Sequence, residues 1–272
     1  MTPQNTAILF GAGFVAGVMN SIAGGGTILT FPALIFVGLR AIDANATSTV
    51  ALLPGSLAGA LGYRQNFPAV AQWIRRFAPA SLVGGLIGGV LLTRTPPALF
   101  EWLVPFLILF ATVLFTLRGF LARLFRLMAA SHENAAEPYQ QRTRGQETGT
   151  RWLVMAVIFQ FAVALYGGYF GAGIGILMLA SLGMLGIGHV HEMNAVKNVL
   201  ALLINLVAAL YFAWSGLVRW DAACTMALGA IAGGYGGAHF AQRIPQRVVL
   251  HLITAIGFTL AAIMFVKQLA RR

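Results

Sequence analysis

Asn20-Ser21-Ile22-Ala23-Gly24-Gly25-Gly26-Thr27 interrupts an apolar run that otherwise extends from Ala7 to Leu39. Each glycine costs a helix about 1 kcal/mol relative to alanine, so three in a row unwind the chain and free backbone N–H and C=O groups. In a bilayer, unwound backbone survives only where it is buried in protein or lines a cavity. The rest of the chain reads as scaffold around this break and a second copy of it.

Composition sets the class. Of 272 residues, 58% are hydrophobic and 9% charged, and the apolar residues form long runs, the pattern of an all-α polytopic membrane protein. The formal charge of +11 does not point to nucleic acid, because the basic residues sit singly between apolar runs or in one central loop, as in loops retained in the cytoplasm. Cys224 is the only cysteine, which excludes an intrachain disulfide and a cysteine metal cluster. Met1 to Asn5 has no basic side chain and the first apolar run continues past the glycines, against a cleaved signal peptide. No cofactor is expected.

Ten apolar segments are readable, at 6–22, 27–39, 44–63, 77–93, 98–117, 152–170, 174–188, 193–214, 222–241 and 247–266. Segments 27–39 and 174–188 are short enough to be half-helices or re-entrant arms. Residues 118–151, with Arg118, Arg123, Arg126, Arg142, Arg144 and Arg151, read as a basic cytoplasmic linker between a first transmembrane repeat, 1–117, and a second, 152–272.

An offset of 149 residues carries the first half onto the second without a gap from about Ala7 to Leu103: Gly24 onto Gly173, Gly26 onto Gly175, Asn45 onto Asn194, Gly84-Gly85 onto Gly233-Gly234, and Arg94 and Pro96 onto Arg243 and Pro245. Apolar residues match by chance; asparagine, Arg-x-Pro and paired glycines at one offset point to internal duplication. Broken segments at corresponding positions of two repeats mark a transporter site near the bilayer midplane. Five segments per half make the repeats inverted. Eight spans, with each broken pair crossing once, would make them parallel with both termini inside. The inverted arrangement is preferred, because two segments of about 14 to 17 residues are too long for one untilted crossing.

A helix that restarts after a glycine break aims free N–H groups and partial positive charge at the gap, which suits an oxyanion. Asn20, Ser21 and Thr27 add donors beside Gly24, Gly25 and Gly26, as does Tyr169 in the second half. The alternative is that glycines only let helices approach, the reading preferred for Gly84-Gly85/Gly88-Gly89 and Gly233-Gly234/Gly237. The following helices carry a polar stripe: Asn45, Ser48, Thr49 and Ser56, repeated as Asn194, Lys197, Asn198 and Asn205. The asparagines are candidates for ligand contact or for helix-to-helix bonds. Lys197, one of two lysines, lies inside an apolar segment and is expected to bind an anion, snorkel or pair with Glu192. Asp43 and Glu192 correspond under the offset; they suit a helix N-terminus or, with His191, proton coupling. His189, His191 and Glu192 lack a third ligand set by the sequence, so no metal site is expected.

Asn20-Ser21-Ile22-Ala23-Gly24-Gly25-Gly26 followed by Phe31-Pro32 and Asn45-Ala46-Thr47 resembles the first repeat of the sulfite exporter TauE/SafE family. Gly167-Gly168-Tyr169-Phe170-Gly171-Ala172-Gly173 followed by Met193-Asn194-Ala195-Val196-Lys197-Asn198 resembles its second. The resemblance implies a multi-pass permease of the bacterial plasma (inner) membrane that moves sulfite, sulfonates or related sulfur-containing anions, and it assigns Gly171 and Gly173 to the second break. Ile174 stands where the family often continues with glycine.

A secondary transporter working by alternating access is therefore the expected function, with an anion-selective channel, or a transporter of another small anion such as a carboxylate, as alternatives. No Walker A sequence, GxSxG or HExxH is present, which argues against an ATP motor and an intramembrane enzyme. Partners are the small anion and the lipid bilayer; a homodimer is left open. Outward movement of one negative charge gains about 2.3 kcal/mol per 100 mV of inside-negative potential, so export can be passive whereas uptake needs coupling.

Overall fold

The computed structural model describes residues 1–22, 25–133, 150–184, 190–240 and 246–270. Among these there are ten α-helices, one short 3-10 turn at Arg64–Asn66 and no strand. The helices are α1 (Pro3–Ile22), α2 (Thr27–Phe36), α3 (Ala41–Gly62), α4 (Phe67–Arg94), α5 (Pro97–Glu133), α6 (Thr150–Tyr169), α7 (Ile174–Met184), α8 (Val190–Trp214), α9 (Trp220–Phe240) and α10 (Gln246–Ala270). Arg64–Arg94, Pro97–Leu117 and His191–Trp214 are long and apolar enough to cross a bilayer by themselves; Thr27–Phe36, Leu153–Tyr169 and Thr254–Val266 are shorter apolar stretches. The protein is an all-α membrane protein.

Two helices differ in length from the apolar segments that announce them. α4 begins at Phe67, ten residues before the segment starting at 77, because Trp73 stacks on Phe77 and Arg76 lies 5.5 Å over the Trp73 ring. α5 continues to Glu133, well past the apolar limit at 117. The arginines that end the hydropathy signal do not end the helix, since arginine is a good helix former.

Contacts between helix ends fix the course of the chain. A cavity of about 190 Å³ is lined by Met1 and Asn5 at the start of α1, by Val37–Leu39 at the end of α2, and by Arg219 and Asp221 at the start of α9. Helix α2 therefore returns to the end from which α1 set out, as a re-entrant arm. Beside it, a cavity of about 130 Å³ joins Arg40 and Asp43 to Thr93, Thr95, Glu101 and Leu217, so α3 and α5 start, and α4 finishes, at this N-terminal end. The α10 terminus is there too, with Gln268 donating to the Trp102 carbonyl (3.4 Å). At the opposite end, Tyr63 closing α3 meets the ring of His191 opening α8. Helix α6 runs parallel to α4, its Phe161 and Leu165 carbonyls facing Gly84 and Gly88 in turn, so α6 enters from that opposite end.

The two halves of the chain interlock. Helix α1 packs on α9, and α4 packs on α6 and α8. These are reciprocal pairs: under the 149-residue offset α1 maps to α6 and α4 to α9. Each contact is a backbone approach at glycine. A Cβ at Gly13 or Gly17 would overlap the Met226 or Ala230 carbonyl, one at Gly229 or Gly233 the carbonyls of Phe10 and Phe14, and one at Gly84 or Gly88 those of Phe161 and Leu165. The spacing is the small-x-x-x-small pattern by which membrane helices reach contact, since lipid supplies no hydrophobic drive between them. The packing-face reading of Gly84-Gly85/Gly88-Gly89 thus holds, and Gly233 joins it.

Leucine at Gly17 or Gly88 is expected to destabilise the folded protein by at least about 2 kcal/mol through overpacking. Gly11→Ala, where nothing lies within 4 Å of the added carbon, leaves stability unchanged. Thermal unfolding in detergent separates the two outcomes.

Candidate functional site

Both chain breaks rest on the same part of α5. Gly25, at φ 95°, presses on the ring of Phe115, and Gly173, at φ 83°, faces Ala111 and Leu114. Phe31 of α2 meets Phe170 of the second break edge-on at 5.5 Å. The positive φ at Gly25, Gly171 and Gly173 is the left-handed region that favours glycine.

The first break is held by its own side chains. Gly26 N–H donates to Oδ1 of Asn20 (2.9 Å), and Gly26 C=O accepts from Oγ1 of Thr30 (3.2 Å). Thr30 Oγ1 is in turn 2.6 Å from Oγ of Ser48 on α3, and both side chains are fully buried. With the Thr30 proton directed to Gly26, Ser48 is the donor to Thr30. Of the residues the sequence proposes here, Asn20 and Ser48 are thus committed to the backbone of the break. Thr27 is half-buried as the first residue of α2. Gly24 and the Ser21 side chain lie outside the described residues.

The second break is held differently. Tyr166, ending α6 with Tyr169, donates from Oη to the Ala172 carbonyl (2.8 Å), and Nδ2 of Asn45 donates to the Tyr169 carbonyl (2.9 Å). The Tyr169 hydroxyl points the other way, 3.4 Å from Thr95 at the edge of the 130 Å³ cavity. Two residues earlier on α4, Thr93 bonds Tyr211 at 3.3 Å. Ile174, the departure from the family pattern, is buried against Gly167.

Lys197 stands beside this break. A carbon added at Gly175, in the first turn of α7, would lie 3.3 Å from Lys197 Cδ, so the aliphatic stem crosses the start of that helix. The residue sits six positions into the candidate span His191–Trp214, about 9 Å from its start. Among the described residues no carboxylate pairs with it; the ion pairs there are Arg40 with Asp43 and Arg219 with Asp221. An ammonium and the free N–H groups of a helix start are a compact positive surface.

The remaining stripe residues bond helix to helix or back to their own helix. Asn198 Nδ2 donates to the Gly59 carbonyl at 3.2 Å, while Thr49 and Ser56 return to the Asn45 and Leu52 carbonyls. Asn194 is half-buried on the same helix. Asp43 accepts from Arg40 at 2.7 and 3.1 Å at the membrane edge, holding that guanidinium above its ordinary pKa by hydrogen bond and charge. His191 is exposed, and Glu192 is half-buried in the first turn of α8. His189 lies outside the described residues; among those described no three His, Cys, Asp or Glu side chains cluster for a metal. Thr30 and Tyr166 escaped the sequence reading. Their signals were faint: a threonine four residues after Gly26, and a tyrosine before Gly167-Gly168.

Comparison with known proteins follows this geometry. The model of the family described as sulfite exporter TauE/SafE matches residues 9–265. A "Probable membrane transporter protein" of Haemophilus influenzae is 26% identical over 263 residues, covering 96% of this chain and 95% of that protein. "Probable membrane transporter protein ORF9" of Sinorhizobium sp. is 25% identical over 256 residues, 94% of this chain and 90% of that protein. "Probable membrane transporter protein YfcA" of Escherichia coli K12 is 24% identical over 270 residues, 96% and 90% respectively. No solved structure matches the chain.

Thr30→Val strands the Gly26 carbonyl and Ser48 hydroxyl, and Ser48→Ala removes the donor to Thr30; each is expected to cost about 1 to 3 kcal/mol. The double variant costs less than the sum, because it leaves fewer orphaned groups. A double-mutant cycle of detergent unfolding measures the coupling.

Proposed function

The chain belongs to the sulfite exporter TauE/SafE family, and on that premise we propose that this membrane transporter carries a small sulfur-containing anion, sulfite or a sulfonate, which docks at the second break against Lys197. The observation that carries the reading is a lysine inside the apolar protein, unmatched by a carboxylate among the described residues and laid across the first turn of α7. A charge at this depth is costly and marks a functional pathway. A sulfonate or sulfite oxygen would take the ammonium and the α7 N–H groups together, replacing its water shell with fixed donors.

The repeats are read as inverted, with α1 entering from one end and α6 from the other. The end that carries Arg64, Arg75, Arg76 and the arginines of the linker holds the excess of basic residues and is placed on the cytoplasmic side of a bacterial inner membrane. Because α1–α9 and α4–α6 tie the halves together at glycine, neither half rocks as a body. Access alternates through the short arms α2 and α7, whose tips meet at Phe31 and Phe170.

Proteoliposomes loaded with sulfite, sulfate, sulfonates or carboxylates test the proposal. Saturable flux of the sulfur anions is expected, falling at least tenfold in Lys197→Ala and recovering in part in Lys197→Arg. Non-saturable flux would indicate a channel; saturable flux of a cation that ignores Lys197 would overturn the substrate class.

A further inference from the structure

Asn45 is 1% exposed, and its Nδ2 donates to the Tyr169 carbonyl at 2.9 Å. A carbonyl cannot donate, so the chemistry fixes the amide: nitrogen toward Tyr169, oxygen away from it. That oxygen, Oδ1, is buried and the protein offers it no donor. Its neighbours show how unusual this is. The buried hydroxyls of Thr30 and Ser48 satisfy each other, and Gln160 Nε2 satisfies Ser81 at 2.9 Å. An orphaned buried acceptor weakens the state that contains it by a factor of roughly ten to a hundred, and in a native structure it calls for a function.

The acceptor sits at one edge of the second break, where α6 ends, and Lys197 sits at the other edge, where α7 begins. Everything Lys197 and the α7 N-terminus present is a donor. Asn45 Oδ1 is the opposite. We infer that the second break selects anions that carry their own hydrogen-bond donor, a hydroxyl, ammonium or acid proton beside the negative group, and that Asn45 makes the selection. The inference rests on the anion reading of this break and narrows it. A donor-free anion would lay a lone pair against Oδ1 and leave the orphan in place, whereas a donor-bearing one completes it. Sites built to pair with a ligand O–H or N–H reject the analogue lacking it far more strongly than apolar pockets discriminate by size. Phe170, next along the chain from Tyr169, closes on Phe31, and this contact keeps Oδ1 dry until a ligand parts the pair.

The test compares 2-hydroxyethanesulfonate with ethanesulfonate, which share the anionic group and differ by one hydroxyl, as stabilisers of the full-length protein in detergent. The hydroxylated anion is expected to reach half-maximal stabilisation at a roughly tenfold to hundredfold lower concentration. Asn45→Leu should erase the difference, Asn45→Asp should weaken both anions while keeping their ratio, and Lys197→Gln should weaken both equally. Equal half-maximal concentrations in the wild type, with both still weakened by Lys197→Gln, would overturn the role of Asn45 and leave the anion site standing; a buried water would then be the partner of Oδ1. Stabilisation by neither anion, with Lys197→Gln without effect, would overturn the anion site itself. If Asn45→Leu does not fold, the wild-type ratio and Asn45→Asp decide.

Discussion

Hydrocarbon offers no hydrogen-bond partner, so each peptide group released where a membrane helix stops must be satisfied by the protein itself. Two breaks in this chain create such groups, and much of the polar chemistry among the described residues answers to them. Asn20 takes the N–H of Gly26, Thr30 and Ser48 take its C=O, Tyr166 takes the carbonyl of Ala172, and Asn45 takes that of Tyr169. The breaks could not persist as open coil. They persist because a small set of side chains closes their backbone, and those side chains in turn need two further helices, α3 and α5, at fixed distance.

Glycine sets that distance. Where α1 meets α9 and α4 meets α6, backbone carbonyls occupy the space that side chains would fill. Lipid tails are as apolar as leucine, so close packing, rather than exclusion from water, holds these helices together. The price in architecture is that each half of the chain completes the other. A substrate route in such a molecule lies between interlocked helices, and movement falls to the segments with the shortest helices and fewest glycine contacts, α2 and α7.

Much of this was legible in the sequence, for identifiable reasons. The break at Gly24 to Gly26 shows because glycine has no counterweight in a helix, and the offset of 149 shows because asparagine and glycine rarely coincide by chance. The stripe from Asn45 shows because it keeps helical spacing. What the sequence hid is direction. Asn20 looks like a ligand donor, yet the turn at Gly25, with φ 95°, brings the Gly26 N–H onto its oxygen. Hydropathy also hid the true length of α5, since charge ends an apolar run without ending a helix. Thr30 was invisible because one hydroxyl among apolar residues carries no signal until its partner on another helix is known.

The two breaks are most informative where they differ. Gly26 and Gly175 are equated by the offset, and so are Ser48 and Lys197. In the first half, Ser48 reaches the Gly26 carbonyl through Thr30, and the buried chain of hydroxyls leaves no charge behind. In the second half the equivalent of Thr30 is Leu179, which cannot relay a hydrogen bond, and the equivalent of Ser48 is a lysine whose stem crosses Gly175. A hydroxyl pair seals a break by satisfying it internally; a lysine beside a leucine brings positive charge that this relay cannot neutralise. Duplicated geometry with unequal chemistry therefore separates a structural break from a binding one, and it places the ligand on the side of the molecule where the hydrogen bonds are incomplete.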